Sequence, residues 1–279
     1  MIIRCYGSRG STPVSGEEYL KYGGDTTCVE IRTIEDDIII VDAGSGIRKL
    51  GNKLIEEKIR NIHLIFTHAH WDHLMGLPFF KPIYFNSSKI NIYGCPFTQE
   101  NVKDMVSSVM KPPFFPVKFS EVSADISLKE NCRRSFKIGS IKIESILISH
   151  PNQGLGYKFI ERGKCFVFIP DNELSFLHPG GLGYKDYVEF SSGADLLIHD
   201  AEYTEEEYKS KVSWGHSIYT DALKLALDAK VKKFGLFHHN QDRVDNELDS
   251  MVDNCKKLIL EKDSELDCFA VSDKFEIEI

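Results

Sequence analysis

The sequence lacks the features that would place the chain in a membrane or in a disulfide-built scaffold. None of its apolar runs is long enough to cross a bilayer, and no N-terminal segment combines a basic start with an apolar stretch. The cysteines show no C-x-x-C spacing, and several lie in apolar strand-like runs where a free thiol packs as a small hydrophobe. We therefore expect a cytoplasmic protein with reduced, structural cysteines. They are Cys5, Cys28, Cys95, Cys132, Cys165, Cys255 and Cys268.

An excess of positive charge is also missing. Lysine and arginine number 34 against 42 aspartate and glutamate residues, which gives a formal net charge of −8. Binding a long polyanion normally needs a basic surface that releases counterions from the phosphates. Extended nucleic acid is therefore not an expected partner, although a local basic patch is compatible with this charge.

No linker-like segment divides the chain. The 279 residues are 42% hydrophobic and 27% charged, which is ample for a large core. We predict one domain over residues 1–279. Apolar alternation predicts strands at 2–6, 28–33 and 38–41, the last two joined as a hairpin, followed by a helix with Ile47, Leu50, Leu54 and Ile55 on one face. Strand and helix alternate from there, as in layered mixed α and β folds.

A cluster of histidines follows the next strand-like run, residues 62–67. His68, His70, Asp72 and His73 lie within six residues of one another. Alternate side chains of an extended stretch share a face, so His68 and His70 can bind one ion, while a turn after Trp71 directs Asp72 and His73 toward a second ion. Imidazole and carboxylate suit zinc, and also manganese or iron. The alternative is an ordinary set of surface histidines.

The H-x-H-x-D-H motif after Thr67 resembles the signature of the metallo-β-lactamase superfamily. That resemblance implies an α+β fold, a four-layer αββα sandwich, with two divalent metal ions at one sheet edge. It also implies three further ligands at the ends of apolar strands: His150, Asp171 and His238. In the implied arrangement the first metal site is His68, His70 and His150, the second is Asp72, His73 and His238, and Asp171 bridges them. Taken alone, His150 or His238 could be a hydrogen-bonded histidine at a strand end, and His239 is a second candidate for the last position.

An earlier Asp-Ala-Gly segment resembles another element of the same family. There Asp42 would lie behind the metal loop and orient a ligand imidazole. An ordinary turn aspartate is the alternative reading of Asp42.

A Gly-His-Ser element separates this chain from the wider superfamily. It contains His216, and a strand ending at Asp200 precedes it. Together the two segments resemble ribonuclease Z, which matures tRNA, and its phosphodiesterase relatives. The resemblance implies that His216 projects toward the scissile phosphate, where it stabilises charge or protonates the leaving oxygen. Asp200 is expected to accept a hydrogen bond from an imidazole such as His216, and Ser217 to cap a helix over residues 218–229.

The favoured function is hydrolysis of a small phosphodiester such as a cyclic nucleotide, with Asp72 and His216 as the catalytic residues. We find no inserted basic arm of the kind with which ribonuclease Z grips tRNA, and the chain is acidic. Three alternatives stay open. They are a hydrolase of a thioester, lactone or lactam, an RNA-processing nuclease of the ribonuclease Z type, and a non-catalytic or redox diiron protein.

Two further segments have undecided roles. Residues 105–116 follow a helix expected to start at Thr98, and their prolines present Phe114 and Phe115, which could wall a substrate pocket or pack as a core connector. A helix over Asp245–Glu261 has an apolar stripe that suits either an outer layer of the fold or a homodimer contact. Its stripe is Leu248, Met251, Val252, Cys255 and Leu258.

Overall fold

The computed structural model describes residues 1–95, 97, 101–130 and 135–279. Within these residues the first six strands are β1 (Ile2–Gly7), β2 (Cys28–Arg32), β3 (Ile38–Val41), β4 (Asn61–Ile65), β5 (Lys89–Gly94) and β6 (Asp125–Glu130). The later strands are β7 (Ser135–Ile138), β8 (Ile141–Leu147), β9 (Leu155–Glu161), β10 (Lys164–Ile169), β11 (Leu196–Asp200), β12 (Lys233–Phe237), β13 (Asp267–Ala270) and β14 (Glu276–Glu278).

The strands form two sheets with matching topology. In the described part of the chain the first sheet has the order β14-β1-β2-β3-β4-β5-β6, and the second has the order β13-β12-β11-β10-β9-β8-β7. In the first sheet pairing is antiparallel from β14 to β3 and parallel from β3 to β6. In the second it is antiparallel from β7 to β10 and parallel from β10 to β13. Parallel strands end at the same edge of a sheet. The segments that follow β3 and β4 can therefore lie close together, and so can the segments that follow β10, β11 and β12.

Helices cover the outer face of each sheet. The described α-helices are α1 (Ile47–Glu56), α2 (Trp71–Leu74), α3 (Val102–Ser107), α4 (Tyr184–Ser191), α5 (Glu205–Tyr208), α6 (Tyr219–Asp228) and α7 (Asp245–Glu261). One apolar cluster joins α1 and α3 to the first sheet, and another joins α4, α6 and α7 to the second. A third cluster lies between the sheets and takes side chains from both. The predicted four-layer αββα sandwich is confirmed.

Strand β3 shows why a continuous apolar run folds into the middle of this sandwich. All four of its residues are buried. Ile38 and Ile40 pack into the outer cluster with α1, whereas Ile39 and Val41 pack into the cluster between the sheets. Side chains of a strand alternate between faces, so only a strand covered on both sides needs apolar residues at every position.

The predicted strands and helices agree with these bounds to within one or two residues. The hairpin between β2 and β3 is present as an antiparallel pair, and α7 has the predicted bounds, with Leu258 only partly buried and Ile259 buried. The start expected at Thr98 lies outside the described residues. Asn101 is the N-cap of α3, where its side chain accepts a hydrogen bond from the Asp104 N–H at 2.9 Å.

Two sequence-based expectations are wrong. Ser217 does not cap α6, since Ile218 holds the N-cap position without a side-chain bond, and the Ser217 hydroxyl instead donates to the Asn172 carbonyl. Cys95 is disulfide-bonded, so the cysteines are not all reduced. A disulfide can join cysteines far apart in sequence, which is why the missing C-x-x-C spacing did not exclude it. Cys132 lies outside the described residues. Among the cysteines that the structure describes, the free ones are Cys5, Cys28, Cys165, Cys255 and Cys268.

None of the helices in the described residues combines the length and the apolar character needed to span a bilayer.

The cluster between the sheets should dominate stability. Phe159 is fully buried there, with its ring centroid 5.6 Å from that of Phe166. We expect Phe159→Ala to lower the free energy of unfolding by about 3–5 kcal/mol, measured by denaturant titration, because it leaves a cavity. Phe114→Ala removes the same ring from a side chain that is 80% exposed and should cost less than about 0.5 kcal/mol. Similar losses in the two variants would contradict the assignment of the core.

Candidate metal centre

The ends of four strands bring the seven predicted ligands together. They follow β4 (His68, His70, Asp72 and His73), β8 (His150), β10 (Asp171) and β12 (His238). They form two groups that share Asp171, and within each group one ligand atom per residue lies within 4.8 Å of the others. The first group is His68, His70, His150 and Asp171, and the second is Asp72, His73, Asp171 and His238. These are the two groups that the sequence resemblance implied.

Asp171 lies between the imidazoles of both groups. Its Oδ2 is 3.6 Å from His68 Nε2 and 3.7 Å from His150 Nε2. In the second group, His238 Nε2 is 3.2 Å from Oδ2, and His73 Nε2 is 3.1 Å from Oδ1. One carboxylate thus faces nitrogen atoms of both groups, which is the position that a bridging ligand requires.

The loop after β4 supplies ligands to both groups because it turns within one residue. His70 is extended, with φ −67° and ψ 154°, and α2 begins at Trp71. The helical turn carries Asp72 and His73 away from the direction of His68 and His70. The turn that the sequence analysis expected after Trp71 is present as a short helix, and it begins at Trp71 itself.

Several inward-facing atoms have no hydrogen-bond partner among the described residues. They are His68 Nε2, His73 Nε2 and Asp171 Oδ1, all buried. In addition, His70 Nδ1 and His150 Nε2 face each other at 2.9 Å. Buried polar atoms are nearly always satisfied in proteins, and imidazole nitrogen with carboxylate oxygen is a donor set for divalent cations. The residues present therefore fit a divalent metal centre.

Burial and neighbouring charge set the protonation of these groups. Burial lowers the pKa of His68 and His70, and it lowers that of His150 to about 3. Burial opposes ionisation of Asp171, but the surrounding imidazoles, His238 first, outweigh it and hold the pKa well below its usual range. The first group thus presents neutral imidazoles beside a carboxylate, which is the protonation state that binds metal.

Asp42 holds the imidazole of His73 from behind. The His73 Nδ1 lies 2.7 Å from Asp42 Oδ2, and the carboxylate also accepts bonds from the Thr67 N–H at 2.8 Å and hydroxyl at 2.7 Å. Asp42 is fully buried at the end of β3, with φ +63°, a conformation that aspartate tolerates better than most residues. The structure therefore places Asp42 where the sequence predicted it.

Glu202 does the same for His238, and the sequence analysis missed it. His238 Nδ1 lies 2.9 Å from Glu202 Oε2, and the other carboxylate oxygen accepts a bond from the Asn240 side chain at 2.9 Å. Burial raises its pKa, but the charge of His216 and the bond from His238 outweigh burial and lower the pKa to about 2. The sequence signal that could have identified Glu202 was its position two residues after Asp200, where strand β11 ends.

His216 stands beside the two groups without being a member of either. Its Nδ1 is 2.9 Å from Asp200 Oδ2, as predicted, and its ring centroid is 4.4 Å from that of His238 and 5.1 Å from that of His150. Burial alone would lower the pKa of His216, but Glu202 and Asp200 outweigh it and raise the pKa to about 9. The bond at Nδ1 leaves Nε2 as the nitrogen available to a substrate.

A buried glutamate that the sequence analysis also missed fixes the loop before His216. Glu173 is 1% exposed and accepts four hydrogen bonds of 2.6–2.7 Å. The donors are His178 Nε2, the Tyr208 hydroxyl, the Ser213 N–H and the Gly215 N–H. No spacing rule predicts such a carboxylate, because three of its four donors, Tyr208, Ser213 and Gly215, lie in a segment distant in sequence.

Gly215 connects this loop to the first group. Its carbonyl lies 2.8 Å from His150 Nδ1 and so accepts the proton of the outward nitrogen. Its φ is +99°, and a Cβ there would lie 2.3 Å from the same His150 nitrogen. Only glycine fits this position, so the Gly-His-Ser element both orients His150 and presents His216.

The aromatic pair of the 105–116 segment has a different environment. Phe114 is 80% exposed, and Phe115 packs edge-to-face on Phe79 with ring centroids 5.8 Å apart, against the outer cluster of the first sheet. Their role in a substrate pocket stays a prediction, while the contacts of Phe115 are those of a core connector.

Known proteins resemble this chain over most of its length. Ribonuclease Z from Picrophilus torridus is 24% identical over 297 aligned positions, which cover 92% of this chain and 90% of the relative. The metallo-beta-lactamase fold protein YhfI from Bacillus subtilis superposes with a TM-score of 0.73 at 17% identity, covering 100% of this chain and 99% of that one. A diphosphatase of the PhnP family gives a TM-score of 0.70 at 16% identity, covering 100% and 97%. At these identities the two structures show a shared fold.

The family itself is shown by a family model, the beta-lactamase superfamily domain, which matches residues 38–239. This range contains all seven residues of the two ligand groups. The chain therefore belongs to the beta-lactamase superfamily, in agreement with the motif that follows Thr67.

Proposed function

We propose that the chain is a metal-dependent phosphodiesterase that hydrolyses a small phosphodiester such as a cyclic nucleotide. The observation that carries the proposal is the placement of His216. It is an imidazole outside both ligand groups, held at Nδ1 by Asp200 and stacked on His238 with centroids 4.4 Å apart. A phosphodiester needs a proton at its leaving oxygen, and an imidazole with one nitrogen free toward the substrate can supply it.

The proposed metal ligands are the seven residues of the two groups, with Asp171 shared. Zinc is the favoured metal, and manganese or iron suits the same donors. Two bound ions would activate water between them and neutralise the charge of the phosphate. Asp72 would serve the second ion, and its carboxylate is held in place by the Ser11 N–H, which donates to Oδ2 at 2.9 Å. The other oxygen of the Asp72 carboxylate, Oδ1, is then available to orient the attacking water.

His216 then acts as the proton donor. Asp200 accepts the Nδ1 proton, which fixes the ring plane, and the proton on Nε2 passes to the departing oxygen. Glu202 Oε2 lies 3.5 Å from the same Nδ1, so two carboxylates stabilise the charged ring. Glu173 also accepts bonds from the Ser213 and Gly215 N–H groups, so the backbone directly before His216 is fixed as well. Preorganised groups of this kind need no rearrangement as the charge develops.

Two observations support a small substrate. The chain carries a net charge of −8, which disfavours long polyanions. A protein of the same fold, covered by the superposition over 97% of its length, is described as a diphosphatase. The Gly-His-Ser element also favours phosphate chemistry over hydrolysis of a thioester, lactone or lactam.

A second candidate is a ribonuclease. The curated relative that aligns with 92% of this chain is named Ribonuclease Z.

A direct test offers the metal-loaded protein four substrates: a cyclic nucleotide, a tRNA precursor, a lactone and a glutathione thioester. Cleavage of the tRNA precursor at low enzyme concentration, with the cyclic nucleotide left intact, would select the ribonuclease.

The metal ligands can be tested by composition. We expect protein loaded with zinc, manganese or ferrous ion to hold about two equivalents by elemental analysis, and His68→Ala to lose at least one of them together with hydrolysis of bis-p-nitrophenyl phosphate. His63→Ala is the matched control, since His63 lies on β4, the strand that precedes His68, and its Nδ1 meets the Tyr93 hydroxyl instead. Full metal content in His68→Ala would contradict the ligand assignment.

His216 should separate catalysis from metal binding. His216→Ala should keep the metal content of the wild type while turnover of adenosine 3′,5′-cyclic phosphate falls about 10²–10⁴-fold, because its ribose alkoxide leaving group needs the proton of the general acid. His63→Ala again serves as the control and should turn over normally. An unaltered rate in His216→Ala would show that the proton comes from elsewhere.

Asp42 should act through metal affinity. Asp42→Asn keeps the shape of the side chain but weakens the charge-assisted bond to His73, and groups behind a metal ligand typically contribute 10- to 100-fold to affinity. We therefore expect the dissociation constant of the metal, measured by competition with a chelator, to rise about 10- to 100-fold. Asp36→Asn makes the same change at an exposed turn with φ +62° and should leave the affinity as it is. Equal affinities in all three proteins would remove Asp42 from this role.

A further inference from the structure

Both tryptophans of the chain are exposed to solvent, and both adjoin the metal centre. The sequence contains two, Trp71 and Trp214, which are 57% and 56% exposed. Tryptophan is usually highly buried because its ring is large and apolar. Two exposed indoles beside one site indicate a ligand that covers them.

Trp71 is next in the chain to the least buried of the seven predicted ligands. It follows His70, which is half-buried, whereas the other six predicted ligands are buried. His70 is therefore the predicted ligand most accessible to solvent, and Trp71, the next residue, begins the short helix α2.

Trp214 reaches the same region from the other half of the chain. It precedes Gly215, whose carbonyl binds His150 Nδ1 at 2.8 Å, and His150 Nε2 in turn faces His70 Nδ1 at 2.9 Å. Two histidines in contact thus link the segments that carry the two indoles.

Hydrogen bonds fix the turn that carries Trp214, and a neighbouring cation holds the indole ring of Trp214 in place. Glu173 accepts bonds from the residues on either side, the Ser213 and Gly215 N–H groups, both at 2.7 Å. The Lys211 ammonium lies 3.7 Å from the centroid of the indole. Since that cation covers one face, the other face is the one left for a flat partner. An ordered ring binds with less loss of conformational entropy.

We propose that Trp71 and Trp214 form an aromatic subsite that stacks the nucleobase of the phosphodiester substrate. The inference rests on the proposed phosphodiesterase function and narrows its substrate to nucleotides. Every nucleobase stacks well on an indole ring, because each base has a flat π-face. Lys211 adds a positive charge beside the ring in an acidic chain, which suits a ligand that pairs a flat ring with an anionic phosphate.

Substrates with and without a base test the subsite. Metal-loaded protein is assayed with adenosine 3′,5′-cyclic phosphate and with methyl riboside 3,5-cyclic phosphate, which keeps the cyclic phosphodiester and lacks the base. Trp71→Ala and Trp214→Ala should each raise the KM for the nucleotide about tenfold and leave the KM for the riboside and both kcat values near wild type. The Trp→Phe variants should recover most of the loss. Leu260→Ala, on α7 and 78% exposed in the wild type, is the control for removing an exposed apolar side chain.

Fluorescence gives a readout that does not depend on turnover. Trp214→Phe leaves Trp71 as the single indole, and Trp71→Phe leaves Trp214. Adenosine 5′-monophosphate should quench the emission of both single-tryptophan proteins with similar dissociation constants. Ribose 5-phosphate should leave both emissions unchanged.

Each outcome is decisive. Unchanged emission in either single-tryptophan protein, or an equal change in KM for the two substrates, overturns the inference. Emission that changes on dilution without nucleotide shows that a second copy of the chain covers the rings, and also overturns it. If the wild type hydrolyses no phosphodiester at all, the proposed function fails, while the titration with adenosine 5′-monophosphate still decides the subsite.

Discussion

The carboxylate of Asp171 is the group around which the centre is organised. It is 1% exposed, and nitrogen atoms of four imidazoles lie within 3.7 Å of its oxygens. A buried charge is costly unless it is paired with opposite charge and hydrogen-bonded. The carboxylate of Asp171 therefore needs positive charge beside it, and the groups that face it are the imidazoles of both ligand groups.

A second set of acceptors makes this arrangement rigid. Three imidazoles each have an acceptor at the outward Nδ1: Asp42 for His73, Glu202 for His238 and the Gly215 carbonyl for His150. Each bond fixes the proton on the outward nitrogen and turns Nε2 toward the centre. The acceptors come from three different loops, so the ligand geometry depends on the packing of both sheets. Glu173 extends the support by one step, because it fixes the loop that contains Gly215.

The parts that the sequence predicted are those that depend on local pattern. The apolar runs of β3 and β4 and the stripe of α7 predict their own structure, because a residue's burial follows from its spacing along a strand or helix. His68, His70, Asp72 and His73 were found because they cluster after an apolar strand, whereas His150, Asp171 and His238 were implied by the resemblance to the superfamily. Recognition of the superfamily motif added what periodicity could not, namely the arrangement of the layers.

What the sequence did not predict depends on contacts between distant segments. Ser217 has a sequence typical of a helix cap, yet it binds the Asn172 carbonyl, because a tertiary acceptor competes with the helix end. Glu173 and Glu202 are ordinary acidic residues in the sequence, and only the fold makes them buried acceptors. The disulfide at Cys95 was not predicted for the same reason, because two cysteines form a bond only when the fold brings them close in space.

The division of the centre between the two sheets has a consequence for biosynthesis. His68, His70, Asp72 and His73 precede β5 in the chain, whereas His150, Asp171 and His238 belong to the second sheet's strand ends. A growing polypeptide on the ribosome completes the first group when Asp171 emerges and the second only after His238. The two groups therefore mature in a fixed order, and a fragment released before β10 completes neither.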